Sequence, residues 1–268
     1  MKRSRSLVFA LCSCLALSTL AIAQPAAQPG APPYAFVQVA TVAVKPSALP
    51  EFESFVKKLN AGAVKIGVSP SNVYAMGRGG SPFTYVTTIR FMKWADLDAR
   101  PSVVELLNKA YGDAEAMKIG NAGRAAIESV SVAVFRVLPE LSSAPSLGNP
   151  FAHVRVSTIG VKPGTGGKWE AYLAKIKAAQ DKAGGSLPVI RLTTALGPAN
   201  TYTGAYFFNK YAQLDGSPSI GETLRKAYGE GEARLLEETA ASCMVSLETH
   251  VLDYRPDLSH PAAAPAAK

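Results

Sequence analysis

The chain has 268 residues, of which 48% are apolar, with 28 Lys+Arg against 20 Asp+Glu and three cysteines. That is enough apolar material for a large core or two. The cations are interspersed with acids and form no basic stripe, which argues against nucleic-acid binding.

Lys2, Arg3 and Arg5 precede a short apolar run, Leu7–Ile22, that ends at Ala21-Ile22-Ala23. This is the pattern of a secretory signal peptide cleaved after Ala23, not of a membrane span. A lipobox reading of Leu11-Cys12-Ser13-Cys14 leaves a very short apolar region. The expectation is an exported protein of a bacterial periplasm, off the membrane after cleavage. Loss of the leader removes three cations, leaving 25 basic against 20 acidic residues. It also removes Cys12 and Cys14, so Cys243 has no disulfide partner and reads as a small buried filler.

The Pro/Ala stretch 24–33 is a linker, and the first folded segment, 34–142, follows. Phe36–Val44 predicts a strand apolar on both faces. Phe52, Phe55, Leu59 and Ile66 predict an amphipathic helix. Val73–Met76 and Thr84–Phe91 predict two more strands around a Gly-rich turn, "GRGGSP". That turn lacks the Lys-Ser/Thr and helix start of a phosphate loop. Ser102 and Glu105 form a capping box opening a helical region to about Ile127, and Ser129–Val137 predicts a last strand. Residues 143–150 form a second linker.

From residue 151 the text repeats. "LNKAYGDAEA" at Leu107 returns as "LRKAYGEGEA" at Leu224, 117 positions on, and 34–142 lies on 151–259 without a gap at about one-third identity. That is an internal duplication whose unit is a whole fold. The second copy repeats the predicted strands at His153–Val161, Val189–Thr193, Thr201–Phe208 and Ser246–Tyr254. Trp169, Tyr172 and Ile176 mark its first helix, and Ser219 and Glu222 cap its second. A Pro/Ala-rich tail, 260–268, expected to be disordered, ends the chain.

The order β-α-β-β-α-β is the ferredoxin-like split βαβ, which leaves one sheet face bare. The predicted fold is α+β: two tandem ferredoxin-like domains pairing their sheets. "VATVAVKPSALPEFESFVKKL" and "VSTIGVKPGTGGKWEAYLAKI" resemble the first strand and helix of the dimeric α/β-barrel superfamily, in its NIPSNAP-like and antibiotic-biosynthesis-monooxygenase-like members. The resemblance implies a fused pseudo-dimeric barrel with ligands between sheet and helices or between the two sheets. It also implies cofactor-independent oxygenation as one activity. Haem-handling relatives take an axial His from a helix, and neither copy has a helical His, so haem is unlikely and the cofactor is left unknown.

Along the first strands, Val37, Val39 and Thr41 match Val154, Val156 and Thr158, a shared face assigned to the helices. The alternate face diverges, from Phe36, Gln38 and Ala40 to His153, Arg155 and Ser157. On the last strands, Ser131 and Ala133 become Glu248 and His250. The expectation is that His153, Arg155, Glu248 and His250 cluster on the face toward the partner copy, joined by Arg191 (opposite Tyr74) and Arg90 (opposite Phe207). Two arginines suit an anionic ligand. His153, His250 and Glu248 are donors for a transition metal. The plain alternative is structural: Glu248 pairs with Arg155 and both histidines are satisfied. The functional expectation is a small anionic or aromatic ligand held between the two sheets, by a monomer or a further homo-oligomer. The alternatives are a cofactor-independent monooxygenase on a quinol-like or polycyclic substrate, and a non-catalytic scaffold.

Overall fold

A computed structural model describes residues 34–143, 151–184 and 187–259. The leader (1–23), the linker 24–33, nearly all of the joining segment and the tail lie outside the described residues. The elements are β1 (Phe36–Val44), α1 (Leu49–Lys65), β2 (Asn72–Arg78), β3 (Thr84–Phe91), α2 (Ala95–Asp98), α3 (Val103–Tyr111), α4 (Asp113–Ala126) and β4 (Ile127–Val137). They recur in the same order as β5 (His153–Val161), α5 (Gly166–Ala183), β6 (Val189–Leu196), β7 (Thr201–Phe208), α6 (Ala212–Asp215), α7 (Ile220–Tyr228), α8 (Glu230–Cys243) and β8 (Met244–Tyr254).

The repeated decapeptide is a helix corner. α3 and α7 open on the capping boxes. The Ser102 hydroxyl accepts from the Glu105 amide at 3.3 Å while the Glu105 carboxylate accepts from the Ser102 amide at 2.8 Å. Ser219 and Glu222 repeat this at 3.1 and 2.7 Å. Gly112 (φ 80°, ψ 161°) and Gly229 (φ 81°, ψ 167°) then break the helix in a region open essentially to glycine alone. The Tyr111 hydroxyl donates to the Lys58 carbonyl at 2.7 Å, and that of Tyr228 to Lys175 at 3.0 Å. Each corner is thereby fastened to the long helix beside it, α1 or α5. Cys243, next to α8's end, is fully buried.

All eight strands close into one antiparallel barrel in the order β1-β3-β2-β8-β5-β7-β6-β4. Each half supplies four neighbouring strands, and the halves join through β2–β8 and β4–β6. The bare face expected from sequence is covered by this closure, which also removes the free edges at both junctions. β1 and β5 stand opposite each other and run parallel, because four antiparallel steps separate them.

Two expectations are corrected by the register. First, the shared face Val37, Val39, Thr41 and Val154, Val156, Thr158 lines the barrel interior rather than facing the helices. Outside, Val42, Val44, Phe52, Val56 and Tyr85 pack between the first-half sheet and α1. Trp169, Tyr172 and Ile176 do the same below α5. On β1 and β5 the two halves share the residues that line the interior, while the outer faces, which meet their own helices, diverge.

Second, the gapless offset fails at β2 and β6. Thr203 is the counterpart of Val86 at offset 117, yet Val86 pairs with Tyr74 and Thr203 pairs with Leu192. Tyr74 therefore corresponds to Leu192, 118 positions on, and Arg191 to Val73. A slip of one residue turns every side chain to the opposite face. The junctions agree with the shifted offset: Tyr74 pairs with Tyr254, and Leu192 with Val137.

Candidate functional site

The strands tilt, so each row of paired residues runs obliquely from one end of the barrel toward the other. One inward row reads Ser131, Thr41, Val86, Tyr74; its counterpart reads Glu248, Thr158, Thr203, Leu192. Along both, burial changes in the same direction: Ser131 and Glu248 are exposed, Thr41 and Thr158 intermediate, and the last two residues buried. The interior is therefore a well. Its mouth lies where β1 and β5 end, and its floor where they begin.

The well encloses about 330 Å³, at the small end of the range for ligand cavities. Its floor belongs to the inner core, where Val37, Val154, Leu192, Phe207 and Leu252 pack with Tyr34 and Tyr74. The Arg90 side chain enters from β3, with its guanidinium 4.9 Å from the centroid of the Tyr34 ring. No carboxylate pairs with Arg90 among the described residues, and no acidic residue lines the well. A guanidinium stays charged in proteins.

The neighbouring titratable groups stay neutral near pH 7. Burial raises the Tyr34 phenol and pushes that of Tyr74 up to about 12, with Arg90 opposing both rises. Burial lowers His250, which lines the wall, and Glu248 opposes that change. The well thus holds one positive charge in apolar surroundings. Its ionisable groups are also one-sided. Arg90 and Thr88 on β3, Tyr74 on β2 and His250 on β8 occupy three adjacent strands. The wall opposite is mostly apolar, with Val154, Val156, Ala205, Phe207, Ile190 and Leu192, and carries the threonines Thr158, Thr201 and Thr203.

The six residues singled out from sequence are divided by this geometry. Arg90 and His250 share the well, and Glu248 stands on the same face as His250 near the mouth. His153 and Arg155 pair across the ladder with Asp253 and Val251, on the outer face. His153 Nδ1 lies 2.7 Å from the Asp253 carboxylate, with its ring against Phe208 and Tyr211. The Arg155 guanidinium sits 4.8 Å from the Tyr206 ring centroid, in a cleft between sheet and helices. The alternative Glu248–Arg155 ion pair is absent among the described residues. Arg191 is 2% exposed and faces α5. Its guanidinium donates to the Leu141 carbonyl at 2.5 Å and to Gln180 Oε1 at 3.2 Å, which makes it a structural anchor. Tyr34, Tyr74 and Thr203 were missed. The one-residue slip hid Tyr74, and Tyr34 precedes the first strand.

The proposed metal set, His153, His250 and Glu248, is split between two faces, and no metal-ligating cluster forms among the described residues. Among the described residues no histidine stands on a helix. His153 is engaged by Asp253 between two aromatic rings, and His250 lies on the wall of a small well; His260 lies outside the described residues.

No family model and no curated protein matches the chain. Solved structures do. An anthrone oxidase-like protein aligns at TM-score 0.52 and 10% identity, covering 88% of this chain and 97% of its own. A candidate monooxygenase from Fusobacterium nucleatum subsp. nucleatum aligns at TM-score 0.52 and 11% identity, over 82% and 92%. A mutant chlorite dismutase from Candidatus Nitrospira defluvii aligns at TM-score 0.51 and 9% identity, over 83% and 91%. At these identities the likeness is one of fold: a ferredoxin-like α+β barrel.

Proposed function

We propose that the chain is an exported, single-chain pseudo-dimer of two ferredoxin-like units, 34–142 and 151–259, that binds a small anionic molecule with an apolar body in its central well. The observation that carries the reading is Arg90, a guanidinium without a carboxylate partner among the described residues, held in an apolar well. Such a charge is costly to desolvate alone, and an anionic ligand group offsets that cost with charge-assisted hydrogen bonds. The tandem arrangement is supported by the repeated text and by the matching registers of the two junctions. Export rests on the sequence of residues 1–23; no described helix is long and apolar enough to cross a membrane.

Calorimetric titration with naphthalene-2-carboxylate tests the anion reading. Wild type binds the acid, whereas Arg90→Leu binds it at least about tenfold more weakly. Equal affinities would remove Arg90 from the site.

A second reading, cofactor-independent oxygenation, is favoured by His250. An imidazole kept neutral by burial is a proton acceptor on the wall of an apolar pocket, and the fold is shared with an anthrone oxidase-like protein. Oxygen uptake with anthrone and quinol substrates, lost in His250→Phe, is the expected result. A rate unchanged by that substitution would exclude His250 as the base.

A further inference from the structure

The wall of the well across from Arg90 carries a second polar group that the anion reading does not use. Thr203 is 8% exposed and lines the well, and its Oγ1, itself closed off from the cavity, has no hydrogen-bond partner among the described residues. A buried hydroxyl without a partner is destabilising, and nothing in the packing calls for it here. Its counterpart at the matching position of the first half is Val86, which is equally buried and lines the same well. A purely apolar branched side chain therefore fits this place in the barrel.

Position gives the hydroxyl a direction. Thr203 lies on β7 and Arg90 on β3, and four steps separate these strands in the eight-strand circuit. They stand on opposite walls. A ligand whose anionic group meets Arg90 therefore turns its far end toward the Thr203 wall. The surface between is built from apolar side chains, which suits a flat hydrocarbon body.

We infer that the well recognises a bifunctional ligand: an aromatic monocarboxylate with a hydroxyl or carbonyl on the ring edge remote from the acid, the carboxylate on Arg90 and the remote oxygen on Thr203, whose hydroxyl a χ1 rotation brings into the well on binding. This rests on the reading of Arg90 as the anion anchor. A threonine hydroxyl both donates and accepts, so a phenol or a ketone satisfies it. The same ring carrying only hydrogen leaves it orphaned, and sites built to hydrogen-bond a ligand oxygen discriminate against analogues that lack it.

The test is calorimetric titration of the full mature chain with two pairs of acids: benzoate and 4-hydroxybenzoate, and naphthalene-2-carboxylate and 6-hydroxynaphthalene-2-carboxylate. In wild type the hydroxylated member of at least one pair binds about tenfold or more tightly. In Thr203→Val that advantage disappears while the parent acid binds as before, and in Arg90→Leu both members weaken together. Val86 shows that valine is accommodated, and a thermal melt of Thr203→Val checks that it folds. Parent acids that bind without any hydroxyl preference, or a preference that survives in Thr203→Val, overturn this inference and leave the anion reading standing. Failure of all four acids to bind wild type overturns both.

Discussion

Replacing Arg90 by leucine separates binding from stability. If the guanidinium were a structural partner, its loss would destabilise the fold. If it is held for a ligand, its loss should stabilise the empty protein. Arg90 has a π contact with Tyr34 at 4.9 Å and no carboxylate partner among the described residues. Cation–π attraction contributes about 0.5–2 kcal/mol, whereas desolvating an unpaired ion costs several kcal/mol. Arg90 is only partly buried, so water from the mouth relieves some of that cost. The counterpart position in the second half holds Phe207, so the barrel accepts an apolar side chain there. Together these give a net gain of about 1–2 kcal/mol for Arg90→Leu, or a rise in Tm of about 2–8 °C. Circular-dichroism melts in low-salt buffer, without added acids, read this directly. A fall in stability beyond about 1 kcal/mol would refute the reasoning and make Arg90 a structural residue.

Other consequences follow from the packing. Arg255 holds Glu53 at 2.6 Å and Asp257 through two contacts at 2.8 Å, which lowers the pKa of both carboxyls. Their stabilisation is present above the ordinary unfolded carboxylate range and is lost as pH falls through the depressed folded values. Acid melts should show this loss, and Glu53→Gln should cost about 1–2 kcal/mol at pH 7 and flatten the acid dependence. A β-carbon on Gly123 would lie 2.5 Å from the Phe55 ring. Gly123→Ala should therefore lower stability by about 1–3 kcal/mol in denaturant titration, despite the better helix propensity of alanine; a stabilised variant would show that Phe55 yields freely. Either half alone exposes the junction edges of two strands and half of the well. Residues 34–142 or 151–259 expressed separately should self-associate in sedimentation, and a soluble monomeric half would contradict the fused barrel.

Much of the architecture was legible because local chemistry repeats it. The two capping boxes, the Gly-broken helix and the runs Thr84–Phe91 and Thr201–Phe208 lie where the pattern placed them. The site was less legible, for two physical reasons. β1 is apolar on nearly both faces, so periodicity does not say which face looks inward, and the divergent residues of the first and last strands, expected on one face, lie on two. The slip between β2 and β6 falls where the two copies share no identities. Pro70 and Pro188 ahead of the strands, and Gly79 and Gly197 after them, both glycines at positive φ, are 118 apart and mark it. That slip set Arg191 opposite Tyr74 and sent it to the wrong side of the sheet. Arg90 and His250 were found because their strands keep the simple offset.

On the proposed reading the well, and not the cleft beside Arg155, takes the anion. A crystal structure of the mature protein with naphthalene-2-carboxylate would test it most directly. The carboxylate should lie within hydrogen-bond distance of the Arg90 guanidinium, with the rings against Phe207 and Leu192. An acid seated beside Arg155 and Tyr206, with Arg90 untouched, would contradict it.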